Sequence, residues 1–151
     1  MIPAEAKAQE ATAVIERVGD ADWKKTTAAE KWPVGVVAHH IAVAHEIIGG
    51  LIKTLAEGKP GPNIPMSALD EMNAQHAREQ AGCTKAETLA LHKKNAAAAA
   101  ALVRGLDDAA LACSGQVLQG APAMSVADLA GGLLCRHVDE HLGSIKATVG
   151  R

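Results

Sequence analysis

The chain has 151 residues, 48% of them apolar and 21% charged, values typical of a globular domain, so one domain is expected over residues 1–151. The net charge of −2 and the scattered placement of the 15 basic residues argue against nucleic-acid binding, which depends on clustered Lys and Arg. The chain lacks about 18 uninterrupted apolar residues and a signal-peptide layout at its start, and its three cysteines are widely spaced, so we predict a cytoplasmic protein without a membrane span or disulfides.

Aromatic residues are scarce, with two Trp and neither Phe nor Tyr. Sheet proteins usually rely on aromatic and β-branched side chains, whereas helices rich in Ala pack closely side by side. The composition therefore predicts an all-α fold.

The first half of the chain predicts two long helices. The first runs from about Pro3 to Val18 and is followed by a polar connection over residues 23–31. The second opens at Pro33, because proline suits the first helical position, and continues to about Glu57. The run Gly58-Lys59-Pro60-Gly61-Pro62 cannot be helical and ends it.

A shorter helix is predicted over residues 67–80, before the third long helix. Thr84, followed three residues later by Glu87, has the pattern of a capping box, so the third long helix begins there. It continues through six consecutive alanines to about Val103.

The last helix is predicted to start at Ser125 as N-cap and to end near Val149. Residues 107–113 are expected to form a short helical turn and residues 114–123 a loop. Four long helices joined by loops predict a four-helix bundle. The connection between the second and third long helices is longer than a hairpin needs, so we predict a crossover that leaves these two helices parallel.

The apolar stripe of the last helix contains two histidines one turn apart. It reads Ala130, Leu134, His137, His141, Ile145. Burying two imidazoles side by side is costly unless their ring nitrogens have binding partners. A divalent metal ion is such a partner, because His residues at i and i+4 can direct ring nitrogens at one ion.

His40 falls within the stripe of the second helix, and facing helices of a bundle build metal sites in this way. The alternative remains open at this point, because an H-x-x-x-H pattern is common by chance. A single helical histidine is more often a surface or hydrogen-bonded core residue than a ligand.

Two segments resemble the DinB-like superfamily. They are Trp32-Pro33-Val34-Gly35-Val36-Val37-Ala38-His39-His40-Ile41-Ala42 and Cys135-Arg136-His137-Val138-Asp139-Glu140-His141. The first is similar to a W-(S/T/P)-V-x-x-(V/L)-(L/A)-x-H-(L/I)-A pattern, and the second to the closing H-x-x-x-H. The superfamily includes bacillithiol transferases and mycothiol-dependent maleylpyruvate isomerases, and its members are four-helix bundles, often homodimers.

The resemblance implies one metal ligand from the second helix and two from the fourth, at His40, His137 and His141. In the isomerase branch the first C-terminal ligand is Glu. Here it is His137, which indicates the all-His branch and argues against maleylpyruvate isomerisation itself.

Three neutral imidazoles leave the charge of the ion uncompensated and a coordination position open, as in catalytic sites. The resemblance implies a Zn or Ni enzyme that activates a low-molecular-weight thiol towards a small-molecule substrate, as an S-transferase or isomerase. The alternative is a non-catalytic dimeric bundle, related to stress or stabilised by metal. A di-iron site is disfavoured, because the second and last helices lack Glu-x-x-His.

The remaining histidines are predicted to lie outside the ligand set. His92 is expected at the surface of the third long helix, and His39 and His45 are also expected at the surface, the alternative for these two being the mouth of the pocket. Asn73 and His76 reach the metal site only if the short helix folds over it, the alternative being a hydrogen-bonded loop.

Overall fold

The computed structural model describes residues 1–150, and their architecture is all-α, as predicted. The helices are α1 (Pro3–Arg17), α2 (Asp20–Trp23), α3 (Val34–Ala56), α4 (Met66–Glu79), α5 (Lys85–Arg104), α6 (Asp108–Ala112) and α7 (Leu134–Val149). A π-helical segment, Asp128–Leu133, leads directly into α7. Four of these helices are long, and α1 and α3 each pack against both α5 and α7.

The connection before α3 is more structured than the sequence predicts. It contains the short helix α2, and the loop that follows closes on itself, because the Thr27 N–H donates to the Trp32 carbonyl at 2.8 Å and the Lys31 N–H donates to the Thr27 carbonyl. Lys31 adopts a φ of 61° within this loop. The closed loop fixes Glu30 beside α7.

The predicted helix starts are confirmed where capping residues marked them. The Glu87 N–H donates to Thr84 Oγ1 at 3.2 Å at the start of α5. Ser125 Oγ accepts the Asp128 N–H, and the Asp128 carboxylate accepts the Ser125 N–H, so both backbone donors are satisfied. The predicted loop over residues 114–123 includes part of a small antiparallel pair, β1 (Ser114–Gly115) with β2 (Met124–Ser125).

The core consists of two clusters of aliphatic side chains along α3 and α7. One includes Ile41, Val138 and Leu142, and the other includes Ile48 and Leu134. Burial of each such side chain contributes about 1.5–3 kcal/mol. These clusters fix the rotation of α3 and α7 about their axes and so decide which of their polar residues face each other.

α3 and α5 are in direct contact. The Asn95 side chain donates to the Ala42 carbonyl, and a methyl group on Gly49 would lie 3.9 Å from Cβ of Ala99. The residue numbers increase in the same direction along both helices in these contacts, so α3 and α5 run parallel here. The predicted crossover requires this parallel orientation. The crossover topology itself stays a prediction.

α3 is also long and apolar enough to cross a membrane, judged by length and hydropathy alone. However, 67% of its most apolar 18-residue window is buried inside the bundle. Core helices of globular proteins meet the same criteria, so this is weak evidence for a span.

Candidate metal centre

His40 from α3 and His137 and His141 from α7 lie together, and the structure thus brings together the three predicted ligands. One nitrogen from each ring lies within 4.8 Å of the other two. The Nε2 atoms of His40 and His137 are 3.2 Å apart. The three ring centroids are separated by 4.5–4.9 Å.

The centre favours neutral imidazoles. Burial, followed by repulsion from the neighbouring histidines, lowers the pKa of His40 to about 3. The same causes, again with burial first, lower the pKa of His137 to about 4. Both rings therefore hold an unprotonated nitrogen at neutral pH, which is the form that binds a metal.

Glu30 orients His141 from behind. Its Oε2 lies 2.7 Å from His141 Nδ1, and its other carboxylate oxygen accepts from Ser144. Burial alone would raise the pKa of Glu30, but hydrogen bonds from Ser144, His141 and Thr27 outweigh it and lower the pKa. The carboxylate is therefore charged and places the proton of His141 on Nδ1, which leaves Nε2 free. Carboxylate–histidine pairs of this kind are typical partners of metal ions.

The sequence analysis did not identify Glu30. The two acidic residues between the ligands on α7, Asp139 and Glu140, lie on its exposed side, where Asp139 pairs with Lys7 at 2.6 Å. Glu30 lies 111 positions before His141, in a connection without periodicity, so no local pattern marks it.

His76 lies at the edge of the centre, because α4 folds against this end of α3. Its Nε2 is 2.7 Å from His39 Nδ1, and its ring centroid is 5.7 Å from that of His40. Trp32 packs edge-on against His40 at 5.4 Å. Any substrate entering beside His40 would meet these two rings.

Three histidines predicted at the surface are buried. His39 is 9% exposed, His45 1% and His92 0%. His45 and His92 lie in the core with their ring centroids 5.1 Å apart, and each donates to a backbone carbonyl, of Ile41 and Ala8 respectively. The prediction for these residues was wrong, because a histidine was assumed to prefer solvent. In the structure a carbonyl satisfies one nitrogen of His45 and one of His92, and His76 pairs with Nδ1 of His39.

Two of the protein's three thiols, those of Cys83 and Cys135, are poorly suited to nucleophilic chemistry. Burial raises the pKa of both Cys83 and Cys135, so each stays protonated at neutral pH. Cys135 does not belong to the three-histidine group.

A divalent metal fits the residues present. The donor set is three imidazoles with one carboxylate behind them, and His137 Nδ1 is a buried nitrogen with no partner within the described part of the chain. With its Nε2 bound to an ion, His137 would carry its proton on this Nδ1. Three protein ligands leave at least one coordination position open.

Two clefts on the bundle lie away from this centre. One of about 280 Å³ runs between α3 and α5 and is lined by residues that include His45 and Asn95. Another of about 240 Å³ lies between α1 and α5. Neither is lined by the three clustered histidines.

Comparison with known proteins supports the sequence resemblance. A family model described as the DinB superfamily matches residues 4–145. No curated protein matches the chain significantly.

Two solved structures share the fold. A mycothiol-dependent maleylpyruvate isomerase aligns with a TM-score of 0.76 and 14% identity. A histidine-to-alanine mutant of that enzyme aligns with a TM-score of 0.77 and the same identity. In both cases the alignment covers 95% of this chain but 57% of the other chain, so the chain spans little more than half the length of these structures.

Proposed function

The chain belongs to the DinB superfamily, and we propose that it is a metal-dependent enzyme that activates a low-molecular-weight thiol. The proposed ligands are His40, His137 and His141, and Zn or Ni is the proposed ion. The observation that carries the proposal is the convergence of three imidazoles, one of them held by a charged carboxylate, around one point.

An open site with neutral ligands favours catalysis over a purely structural role. Closed structural zinc sites use four protein ligands, commonly with thiolates, whereas three-histidine sites leave room for a reactant. A divalent ion bound here would act as a Lewis acid and lower the pKa of a thiol or water in the open position. Imidazole ligands suit both Zn and Ni.

The residues around the site have roles that follow from their contacts. Glu30 holds the proton of His141 on Nδ1 and thereby fixes the direction of Nε2. Trp32 and His76 flank His40 and would limit the size of a substrate that approaches from that side.

The nucleophile is proposed to be an external thiol, because burial keeps Cys83 and Cys135 protonated. Its sulfur would bond to an electrophilic carbon as its proton is released. A leaving group would then depart with its bonding electrons or, for an isomerase, the thiol itself would be expelled after rotation about the former double bond. The mycothiol dependence of the structurally similar isomerase supports a thiol co-substrate.

The experiment is a transferase screen with the Zn- or Ni-loaded protein. Glutathione, bacillithiol and mycothiol are each offered with a chromogenic alkylating electrophile and, separately, with maleylpyruvate. We expect thiol-dependent turnover with at least one thiol, lost in a His40→Ala, His141→Ala double variant. A loaded protein that is inactive with every thiol would refute the transferase and isomerase proposals for those thiols.

A second candidate is a non-catalytic bundle that binds the metal for stability. The two clefts described above are not lined by the three histidines, which favours it. His137→Ala separates the two candidates. A structural site should lose much thermal stability, since metal binding energy is then folding energy, whereas a catalytic site should lose activity with a smaller change in stability.

A further inference from the structure

His45 of α3 and His92 of α5 form a second group of buried histidines. They are 1% and 0% exposed, and their ring centroids lie 5.1 Å apart. Burial is the largest cause that lowers the pKa of both residues, so both imidazoles are neutral at neutral pH. Each ring therefore has one protonated nitrogen and one nitrogen with a free lone pair.

Backbone carbonyls decide which nitrogen of each ring carries the proton. His45 Nδ1 lies 2.9 Å from the Ile41 carbonyl oxygen, and His92 Nε2 lies 3.0 Å from the Ala8 carbonyl oxygen. Because a carbonyl oxygen can only accept, these two nitrogens are the protonated ones.

The other two nitrogens, His45 Nε2 and His92 Nδ1, are left as bare acceptors. Both atoms are buried without a hydrogen-bond partner within residues 1–150. They cannot satisfy each other, because neither carries a proton. Two unsatisfied acceptors on neighbouring rings are costly in a core, so a bound group that satisfies both is expected.

The arrangement has two features of metal-binding histidines. Ligand histidines commonly donate their second N–H to a backbone carbonyl, as both rings do here. The pair also has nearly the geometry of His40 and His141 in the three-histidine centre. The centroid distances are 5.1 and 4.8 Å, and the ring planes are inclined by 81° in both pairs. The spacing of His45 and His92 is therefore compatible with one shared ion.

A cleft gives access to this part of the core. The opening of about 280 Å³ between α3 and α5 is lined by His45 and Asn95, among others. The Asn95 amide nitrogen donates to the Ala42 carbonyl at 2.9 Å, so only its side-chain oxygen remains free to accept. An ion could thus reach His45 from solvent past an oxygen donor.

The donor set favours a monovalent ion. Within residues 1–150, no carboxylate or cysteine joins His45 and His92 in a cluster of three or more potential ligands. Neutral imidazoles do not offset the charge of a buried ion, so an ion of lower charge is less costly to bury. Imidazole is a suitable ligand for copper, which has a monovalent form.

We propose that His45 Nε2 and His92 Nδ1 bind a Cu⁺ ion in the core between α3 and α5. This site shares no ligand with the three-histidine centre and does not depend on the proposed function. The competing occupant is a buried water molecule that donates one hydrogen to each nitrogen.

The test uses the His40→Ala, His141→Ala variant, so that copper cannot bind at the three-histidine centre. Cu⁺ is offered without oxygen, in competition with a chromophoric Cu⁺ chelator. We expect about one equivalent to bind, and adding His45→Asn or His92→Asn should abolish this binding, because each removes one ligand. Thr88→Val is the matched control, since Thr88 is also fully buried in α5, and it should leave Cu⁺ binding unchanged.

Two results would overturn the inference. A protein that takes up no Cu⁺ would leave water as the occupant of the pair. Copper that stays bound in both His45→Asn and His92→Asn would be held by other groups, such as the cysteines. A failed thiol screen, or a three-histidine centre that binds no Zn²⁺, would not affect it.

A second measurement needs no substitution at the pair. In the same His40→Ala, His141→Ala variant labelled with ¹⁵N-histidine, NMR is recorded before and after addition of Cu⁺, which is diamagnetic. The resonances of His45 Nε2 and His92 Nδ1 should shift, while the protons stay on His45 Nδ1 and His92 Nε2. Unchanged resonances of these two bare nitrogens would refute the site, whatever the variants do.

Discussion

Glu30 joins a loop to the last helix at the point where the metal is proposed to bind. Its carboxylate is 10% exposed and holds His141 Nδ1 at 2.7 Å. Because a charged acceptor makes the imidazole a better ligand and fixes its orientation, part of the affinity for metal should depend on this residue.

Glu30→Ala should weaken Zn²⁺ binding about 10–100-fold, because His141 loses the partner that orients it. Chelator competition measures the change. Glu10→Ala is the matched control, since Glu10 also bonds an α7 side chain, Lys146 at 2.8 Å, but belongs to a surface ion pair. Equal affinity in the two variants would mean that Glu30 has no role in metal binding.

For single residues, the sequence predicts the proposed metal ligands better than it predicts the residues around them. His137 and His141 could be predicted because they continue an apolar stripe, and the resemblance supplied the match for His40. His45 also carried a signal, since Ile41, Ile48 and Ile52 mark the same buried face of α3. Glu30 could not be predicted, because its contact with His141 depends on how a loop closes against a distant helix.

The start of α3 depends on a close contact with α2. The indole Nε1–H of Trp23 donates to the Cys83 carbonyl at 2.9 Å, and the ring lies against Gly35. A β-carbon at Gly35 would lie 2.3 Å from that Nε1, so only glycine fits without displacing the ring. The contact anchors the segment that carries His40.

Gly35→Ala should lower the free energy of unfolding by about 1–3 kcal/mol, because the added methyl group overpacks a fixed indole ring. Gly50→Ala in the same helix is the control. No atom lies within 4 Å of its new β-carbon, so it should stabilise by about 0.5–1 kcal/mol through helix propensity. Urea unfolding of the apoprotein measures both, and a Gly35→Ala variant as stable as the parent would refute the account of this contact.

The positions of the helices could be predicted from proline, glycine and capping residues, and the long helices lie close to their predicted bounds. The π-helical segment Asp128–Leu133 was not predicted, because its apolar spacing also fits an ordinary helix. A shift of hydrogen-bond register is decided by packing, which a single sequence does not display. Such segments occur often near functional sites, and this one ends four residues before His137.

None of the seven histidines in the molecule is exposed, since four are buried and three are partly buried. Burial lowers the pKa of six of the seven, and His40 and His137 reach about 3 and 4. In the unfolded chain these groups titrate near 6.5. Between the two values the unfolded state binds more protons than the folded state, so acid must favour unfolding.

The free energy of unfolding of the apoprotein should therefore be highest above pH 6.5, where these histidines are neutral in both the folded and the unfolded state. It should decrease as the pH falls towards 4, because only the unfolded chain takes up the protons. Each fully shifted histidine contributes a slope of about 1.4 kcal/mol per pH unit. Urea unfolding at several pH values measures the slope, and His40→Asn should make it shallower. Stability that is constant from pH 7 to pH 4.5 would contradict the burial of these groups in neutral form.

The bundle as a whole agrees with the composition, since scarce aromatics and abundant alanine led to an all-α fold. A homodimer, a cytoplasmic location and the lack of nucleic-acid binding stay predictions. These properties depend on the cell and on interactions with other molecules, and neither the helix pattern nor the packing of one chain determines them.

The central claim is that one divalent ion binds at His40, His137 and His141, and metal analysis tests it most directly. The untagged protein is purified beside a His40→Ala, His141→Ala variant, and each is offered Zn, Ni, Co and Mn. We predict about one equivalent of bound metal in the parent and its loss in the variant. A folded parent that takes up none of the four ions, or a variant that keeps the full equivalent, would contradict the account.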